Sequence, residues 1–227
     1  MRRLLLASVA AAAIGGLASM GTAHAYVISG TTSPPITISL DNLGTSATQG
    51  YQNSTTITPS NAPDQTISFV AGTGTYSSGV YAGNVSGENA SPFGAGNATT
   101  NYLAAQPGGG SVTITYSKAQ TAFDVLWGTV DASPTTYNQL VFHIGGQTIT
   151  GADIASALGI DGNGTVNANV EITGLDPFTS VTATATSSAF EFVPGTSVPE
   201  PGSLALLGTG LLALGAIGWS RKKRRTV

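Results

Sequence analysis

The chain has 227 residues, no cysteine and a formal net charge of −3, but its charges are sorted by position. Of the 8 basic residues only Lys118 lies between the two ends, whereas all 11 acids fall between Asp41 and Glu200, so residues 26–201 carry about −10. Nothing in that region could neutralise phosphates, which excludes a nucleic-acid partner, and the lack of thiols excludes cysteine nucleophiles and metal–thiolate centres.

Residues 1–25 have the layout of a secretory signal peptide. Arg2 and Arg3 supply the positive start, residues 4–17 an apolar stretch, and Ala23-His24-Ala25 an A-x-A cleavage site ahead of Tyr26. Paired arginines also mark the twin-arginine route, but no polar residue precedes them and the following run is strongly hydrophobic. The Sec translocon and signal peptidase are therefore the expected partners. Outside the cell the acidity of the remaining chain favours solubility, with divalent-cation binding as its competing use. An exported chain without disulfides depends on a hydrophobic core, and residues 26–193 are long enough for one domain of ordinary size.

That region is rich in Thr, Ser, Gly, Asn and Val, which disfavours helix and suits short strands and tight turns. Residues 36–40, 55–58 and 66–70 are candidate strands, and 73–100, loaded with Gly, Ser and Asn, reads as long loops. Alternation is clear further on: Val112, Ile114 and Tyr116; Phe123, Val125 and Trp127; Leu140, Phe142 and Ile144; Val166, Ala168, Val170 and Ile172; Val181, Ala183 and Ala185; Phe190 and Phe192. Turn signals separate them, at Pro107-Gly108-Gly109-Gly110, Gly145-Gly146, Asp161-Gly162-Asn163-Gly164 and Asp176-Pro177. Residues 153–158, closed by Gly159, form the single helix expected. The pattern predicts an all-β protein, an antiparallel, jelly-roll-like β-sandwich.

Candidates for chemistry are few. Trp127 could offer a sugar-stacking face, but its alternation with Phe123 and Val125 points it into the core. Asp131 and Asn138 read as loop organisers through backbone hydrogen bonds. Asp161-Gly162-Asn163-Gly164-Thr165 begins like a calcium loop, yet Thr165 and Val166 stand where Asp or Asn and Gly are needed and no Glu follows at the twelfth position, so a glycine-rich hairpin turn is expected. His143 alternates out of the apolar face of its strand and reads as a surface histidine. The carboxylates are too scattered in sequence to nominate a glycosidase pair, and no G-x-S-x-G, H-E-x-x-H or P-loop pattern occurs. Sequons at Asn53 and Asn97 fit chance in a chain of this composition. No catalytic residue, metal ligand or cofactor is nominated.

The last thirty residues are the most specific. Residues 194–201 form a tether that ends in Val198-Pro199-Glu200-Pro201. Residues 202–220 contain no charge and, at 1.5 Å per residue, span roughly 28 Å as a helix, close to a bilayer core. Trp219 marks the interface, and Arg221, Lys222, Lys223, Arg224 and Arg225 form a cytoplasmic stop within the tail 221–227. An ordinary membrane anchor with a small-residue face at Gly208, Gly210, Gly215 and Gly218 is the plain alternative. The two prolines outside the apolar run, however, keep the chain extended and accessible there, as a processing enzyme requires.

This three-part tail resembles the PEP-CTERM signal, whose carriers are substrates of exosortases, membrane transpeptidases of Gram-negative bacteria that make exopolysaccharide. A second resemblance runs over residues 79–193: Val80-Tyr81-Ala82-Gly83, Ser91-Pro92-Phe93-Gly94, Asn101-Tyr102-Leu103, Leu126-Trp127-Gly128-Thr129-Val130-Asp131, Tyr137-Asn138 and Ala189-Phe190-Glu191. In that order they are similar to a family of exosortase-dependent surface proteins with a Trp-Gly-Ser-Val-Asp centre followed closely by Tyr-Asn. Here residues 132–136 lengthen the spacing to Tyr137, and the Asp-Asn pair that relatives often carry after Phe190-Glu191 is missing. The resemblances imply a non-catalytic exported surface or matrix protein associated with exopolysaccharide or biofilm. A lectin-like carbohydrate-binding module is the alternative.

Overall fold

The computed structural model describes residues 26–30, 37–40, 56–73, 75–94, 99–143 and 146–196. The signal peptide with Ala23 and Ala25, the sorting block Val198 to Pro201, the expected transmembrane helix 202–220 and the basic tail lie outside these residues. Among the described residues no helix is long and apolar enough to cross a membrane.

The elements follow in the order β1 (Val27–Gly30), β2 (Gln65–Val70), β3 (Gly79–Ala82), β4 (Asn101–Ala105), β5 (Ser111–Gln120), β6 (Phe123–Trp127), β7 (Asn138–His143), β8 (Thr148–Thr150), α1 (Gly151–Leu158), β9 (Ala168–Thr173), β10 (Phe178–Ala185) and β11 (Phe190–Pro194). They build a six-stranded sheet, β1-β9-β6-β11-β4-β3, and a five-stranded sheet, β2-β5-β10-β7-β8, with every pairing antiparallel. The sheets meet through side chains that alternate inward, as the sequence pattern predicts for β7, β9 and β10. Phe123 of the first sheet packs edge-on against Phe142 and Phe178 of the second, with ring centroids 5.5 and 6.4 Å apart.

Helix α1 forms where the sequence supplies both caps. The Thr150 hydroxyl accepts from the Asp153 amide, and the Asp153 carboxylate accepts from the Thr150 amide at 2.8 Å. Gly159, at φ +62°, closes the helix in the left-handed region. The helix therefore starts two residues before the expected 153.

Several expectations need correction. Residues 36–40 and 55–58 are not strands where described; they reduce to isolated bridges, Thr37 with Gly195 and Ile57 with Ile67. Segment 73–100 is not loop throughout, because it contains β3 at the edge of the larger sheet. The glycine-rich stretch 161–165 is not a hairpin turn. It carries the chain from α1 to β9 and bridges to Asp131 through Asn163. Val166 precedes β9 and is not part of it.

Strand register gives the sandwich two distinct poles. Val27 lies opposite Thr173, Phe123 opposite Ile172, and the Gly195 amide donates to the Asp124 carbonyl at 2.7 Å. The first strand thus begins, and the last ends, at the same pole, three strand spacings or roughly 14 Å apart. Lys118 and His143, both exposed, also lie toward that pole, since Gln120 pairs with Phe178 and His143 with Ser180 at the start of β10.

Candidate functional site

At the opposite pole, where β6 ends and β11 begins, an open cleft of about 870 Å³ is framed by segments 84–90, 129–131, 163–164 and 187–191, with Tyr137 on its rim. Asn84, Ser86, Asn163 and Ser188 are exposed around its mouth. Glu88, Asn89 and Glu191, each no more than 6% exposed, underlie it.

The floor is set by the turn that follows Trp127. The Gly128 amide donates to the Glu191 carbonyl at 2.8 Å, and a Cβ on Gly128 would meet that oxygen at 2.7 Å, so only glycine lets the two backbones approach this closely. Thr129 then adopts φ +33°, a conformation unfavourable for a β-branched residue. It is held there by neighbours: its amide donates to Asn167 Oδ1 at 2.8 Å, and its carbonyl accepts from Asn138 Nδ2 at 3.1 Å. The same Asn138 amide donates to Asp131 Oδ2 at 3.1 Å. Asp131 and Asn138 are therefore loop organisers, as expected, although Asp131 also lines the cleft. Gly164, at φ +76°, lies where a Cβ would run into the Asp131 carboxylate, so the glycine-rich segment makes room for that side chain in place of forming a hairpin.

Glu191 sits between Phe190 and Phe192 on a strand buried along its whole length. Segment 83–94 covers it: the Ala90 amide donates to Glu191 Oε1 at 2.7 Å, and the Pro92 carbonyl accepts from Asn167 Nδ2 at 2.9 Å. Burial pushes the Glu191 carboxyl up to about 8, against the opposing hydrogen bonds from backbone amides and the Thr129 hydroxyl and with added repulsion from Asp131. Burial also raises Asp131, partly offset by Asn138, and raises Glu88, partly offset by the Tyr76 hydroxyl. Neither Glu88 oxygen makes a hydrogen bond of acceptable geometry, and Asn89 Nδ2 has no partner.

The sequence scattered its carboxylates, and the fold brings Glu88, Asp131 and Glu191 to one cleft. Sequence reasoning missed Glu88 and Asn89 because the segment read as plain loop. Glu191 carried a legible signal, an acid between two phenylalanines on a strand too apolar to have a wet face. Trp127 is fully buried, its ring 4.5 Å from Phe190, so it offers no stacking surface. His143 is exposed toward the far pole with Nε2 2.8 Å from Thr182 Oγ1, away from every cleft residue. Among the described residues no group of three or more His, Asp or Glu side chains is placed to hold a metal ion.

Residues 197–225 match the PEP-CTERM protein-sorting motif, so the chain carries the tag of an exported, exosortase-sorted surface protein whose C-terminus is membrane-anchored before processing. The match includes Val198 to Pro201 and the basic cluster Arg221 to Arg225. No curated protein matches the chain, and no solved structure does.

Proposed function

We propose that the exported domain is a non-catalytic surface or matrix protein associated with exopolysaccharide, and that the cleft is where it holds saccharide. One observation carries this reading: the wide polar cleft lies at the pole opposite the one from which the chain leaves toward its sorting tail. A domain tethered through Thr196 presents that cleft away from the membrane. Exposed amides and hydroxyls around a hydrated opening suit weak contacts with sugar hydroxyls, and Tyr137, half-buried at the rim, supplies an aromatic face.

A glycosidase is the competing use of carboxylates in a polar cleft. Its general acid must reach the glycosidic oxygen, whereas Glu191 is 2% exposed with one oxygen engaged by the Ala90 amide. The purified protein is accordingly expected to bind polysaccharide in a pull-down without cleaving it. Turnover abolished by Glu191→Gln would overturn the non-catalytic reading, and failure to retain any polysaccharide would overturn the saccharide one.

Sorting gives a separate prediction. Replacing Pro199, Glu200 and Pro201 together by alanine should leave export intact and trap a full-length membrane form, read by immunoblot of membrane and medium fractions. A mutant trimmed like wild type would show that the block has no part in processing.

A further inference from the structure

We infer that exosortase meets the folded domain whenever it engages the sorting block, that the pole from which the chain leaves is the surface it meets, and that this contact slows removal of the tail. The contact is independent of the saccharide reading above. It follows from how firmly the fold holds the chain at its exit and how few residues come after.

Strand β11 is an interior strand, paired with β4 on one side and β6 on the other. Past its end the backbone is still held from three directions. The Gly195 amide donates to the Asp124 carbonyl, the Pro194 carbonyl accepts from the Ile38 amide at 3.1 Å, and the Gly195 carbonyl accepts from Gln65 Nε2 of the second sheet at 3.2 Å. Gln65 is itself fully buried. A Cβ on Gly195 would meet Asp124 Cβ at 2.7 Å, so glycine is what lets the chain lie this close to β6. The fold therefore controls the chain as far as Thr196, and the sorting motif begins at the next residue.

Pro199 is three residues beyond Thr196, a reach of at most roughly 10 Å. The exit is not at a rim of the pole. It lies two strand spacings, about 10 Å, from β3 and three, about 14 Å, from β1, with the second sheet about 10 Å away. The uncharged run starts six residues after Thr196, which keeps the pole within roughly 20 Å of the hydrocarbon core. An enzyme acting at the membrane thus takes hold of Pro199, Glu200 and Pro201 in a slot narrower than a protein domain, and touches the pole as it does so. The pole offers it little in return. The hollow beside Thr196, lined by Tyr116, Gln120, Ala122 and Asp124, holds only about 10 Å³, too small for an incoming side chain. Asp124 and Glu171 lie opposite each other on β6 and β9 and repel, so a surface that strips their water makes the pair costlier still.

The test is pulse–chase labelling of the full-length chain in a host that carries its exosortase, following loss of the tail by gel mobility. Inserting about ten Gly and Ser residues between Thr196 and Ser197 lengthens the tether without touching the domain, and should speed tail removal about fivefold. Ala122→Tyr, which enlarges the pole beside the exit, should slow removal roughly threefold with the natural tether and by under about 1.5-fold with the long one. A long-tether chain processed at the wild-type rate would overturn the inference. Slower processing would overturn it too, by making the pole a favourable docking surface. Equal slowing by Ala122→Tyr with both tethers would do the same, since a damaged fold acts whatever the tether length. Circular dichroism of the purified variants checks folding, and the insertion decides alone if Ala122→Tyr does not fold. A wild-type chain that keeps its tail would overturn the sorting itself, and the inference with it.

Discussion

Trp127→Ala is expected to cost about 3–5 kcal/mol, a large part of the stability of an ordinary domain. Trp127 is the last residue of β6 and is fully buried. Its ring stacks at a tilt on Phe190, whose ring is in turn 5.0 Å from Phe192, so it completes an aromatic column under the cleft floor. Removing it leaves a cavity beside Gly128, where the backbone is already pinned to Glu191. Its indole N–H has no acceptor, which makes the ring's burial incomplete in polar terms. Trp127→Phe keeps most of the apolar volume and removes the orphaned donor, so it should cost far less, about 1 kcal/mol or under. Urea melts followed by circular dichroism would rank the two. An alanine variant that melts with wild type would refute the core assignment and return Trp127 to consideration as a ligand platform.

The parts of this fold that were legible in the sequence are those with one wet face. Strands β7, β9 and β10 alternate because their outer residues meet solvent, and the helix announced itself through Gly159. Strands β3 and β4 were not legible. Val80, Tyr81, Tyr102, Leu103 and Ala104 are all fully buried, so period two vanishes where both faces are covered. The covering is done by neighbouring segments such as 37–40, whose Leu40 carbonyl accepts from Asn101 Nδ2 at 2.9 Å, and whose spacing from β4 no local pattern encodes. The cleft was illegible for the same reason. Its walls come from stretches more than 100 residues apart, as the bond from Ala90 to Glu191 illustrates, and they are brought together by the antiparallel pairing of β11 with β6 on one side and with β4 and then β3 on the other. Asp131 and Asn138, seven residues apart, were legible as loop organisers, but their direct side-chain bond to each other was not.

The second large effect expected is that this protein loses stability as pH rises, contrary to the usual acid sensitivity of acidic proteins. Glu191 has an ordinary value of 4.5 and is pushed up to about 8 in the fold. Below pH 4.5 both folded and unfolded chains hold the proton and the group is neutral in the balance. Between those values the unfolded chain releases it and the folded chain does not, so stability falls by about 1.4 kcal/mol per pH unit. Above pH 8 the loss is complete. Glu88, Asp124 and Asp131 are raised by burial too, Asp124 with added repulsion from Glu171 opposite it, and they deepen the loss just above the ordinary carboxylate range. Melting temperature should therefore peak in mild acid and decline toward pH 9. Glu191→Gln, isosteric and unable to ionise, should remove roughly 2–4 kcal/mol of that decline and leave the variant the more stable protein at pH 9. The covering segment is held to Glu191 by the Ala90 amide, so deprotonation should loosen residues 83–94 before the sheets separate, and the Ala90 amide should exchange faster at pH 9 than its intrinsic rate explains. Melting curves that are flat from pH 5 to 9, or that decline equally in the Gln variant, would show that Glu191 is already ionised in the fold.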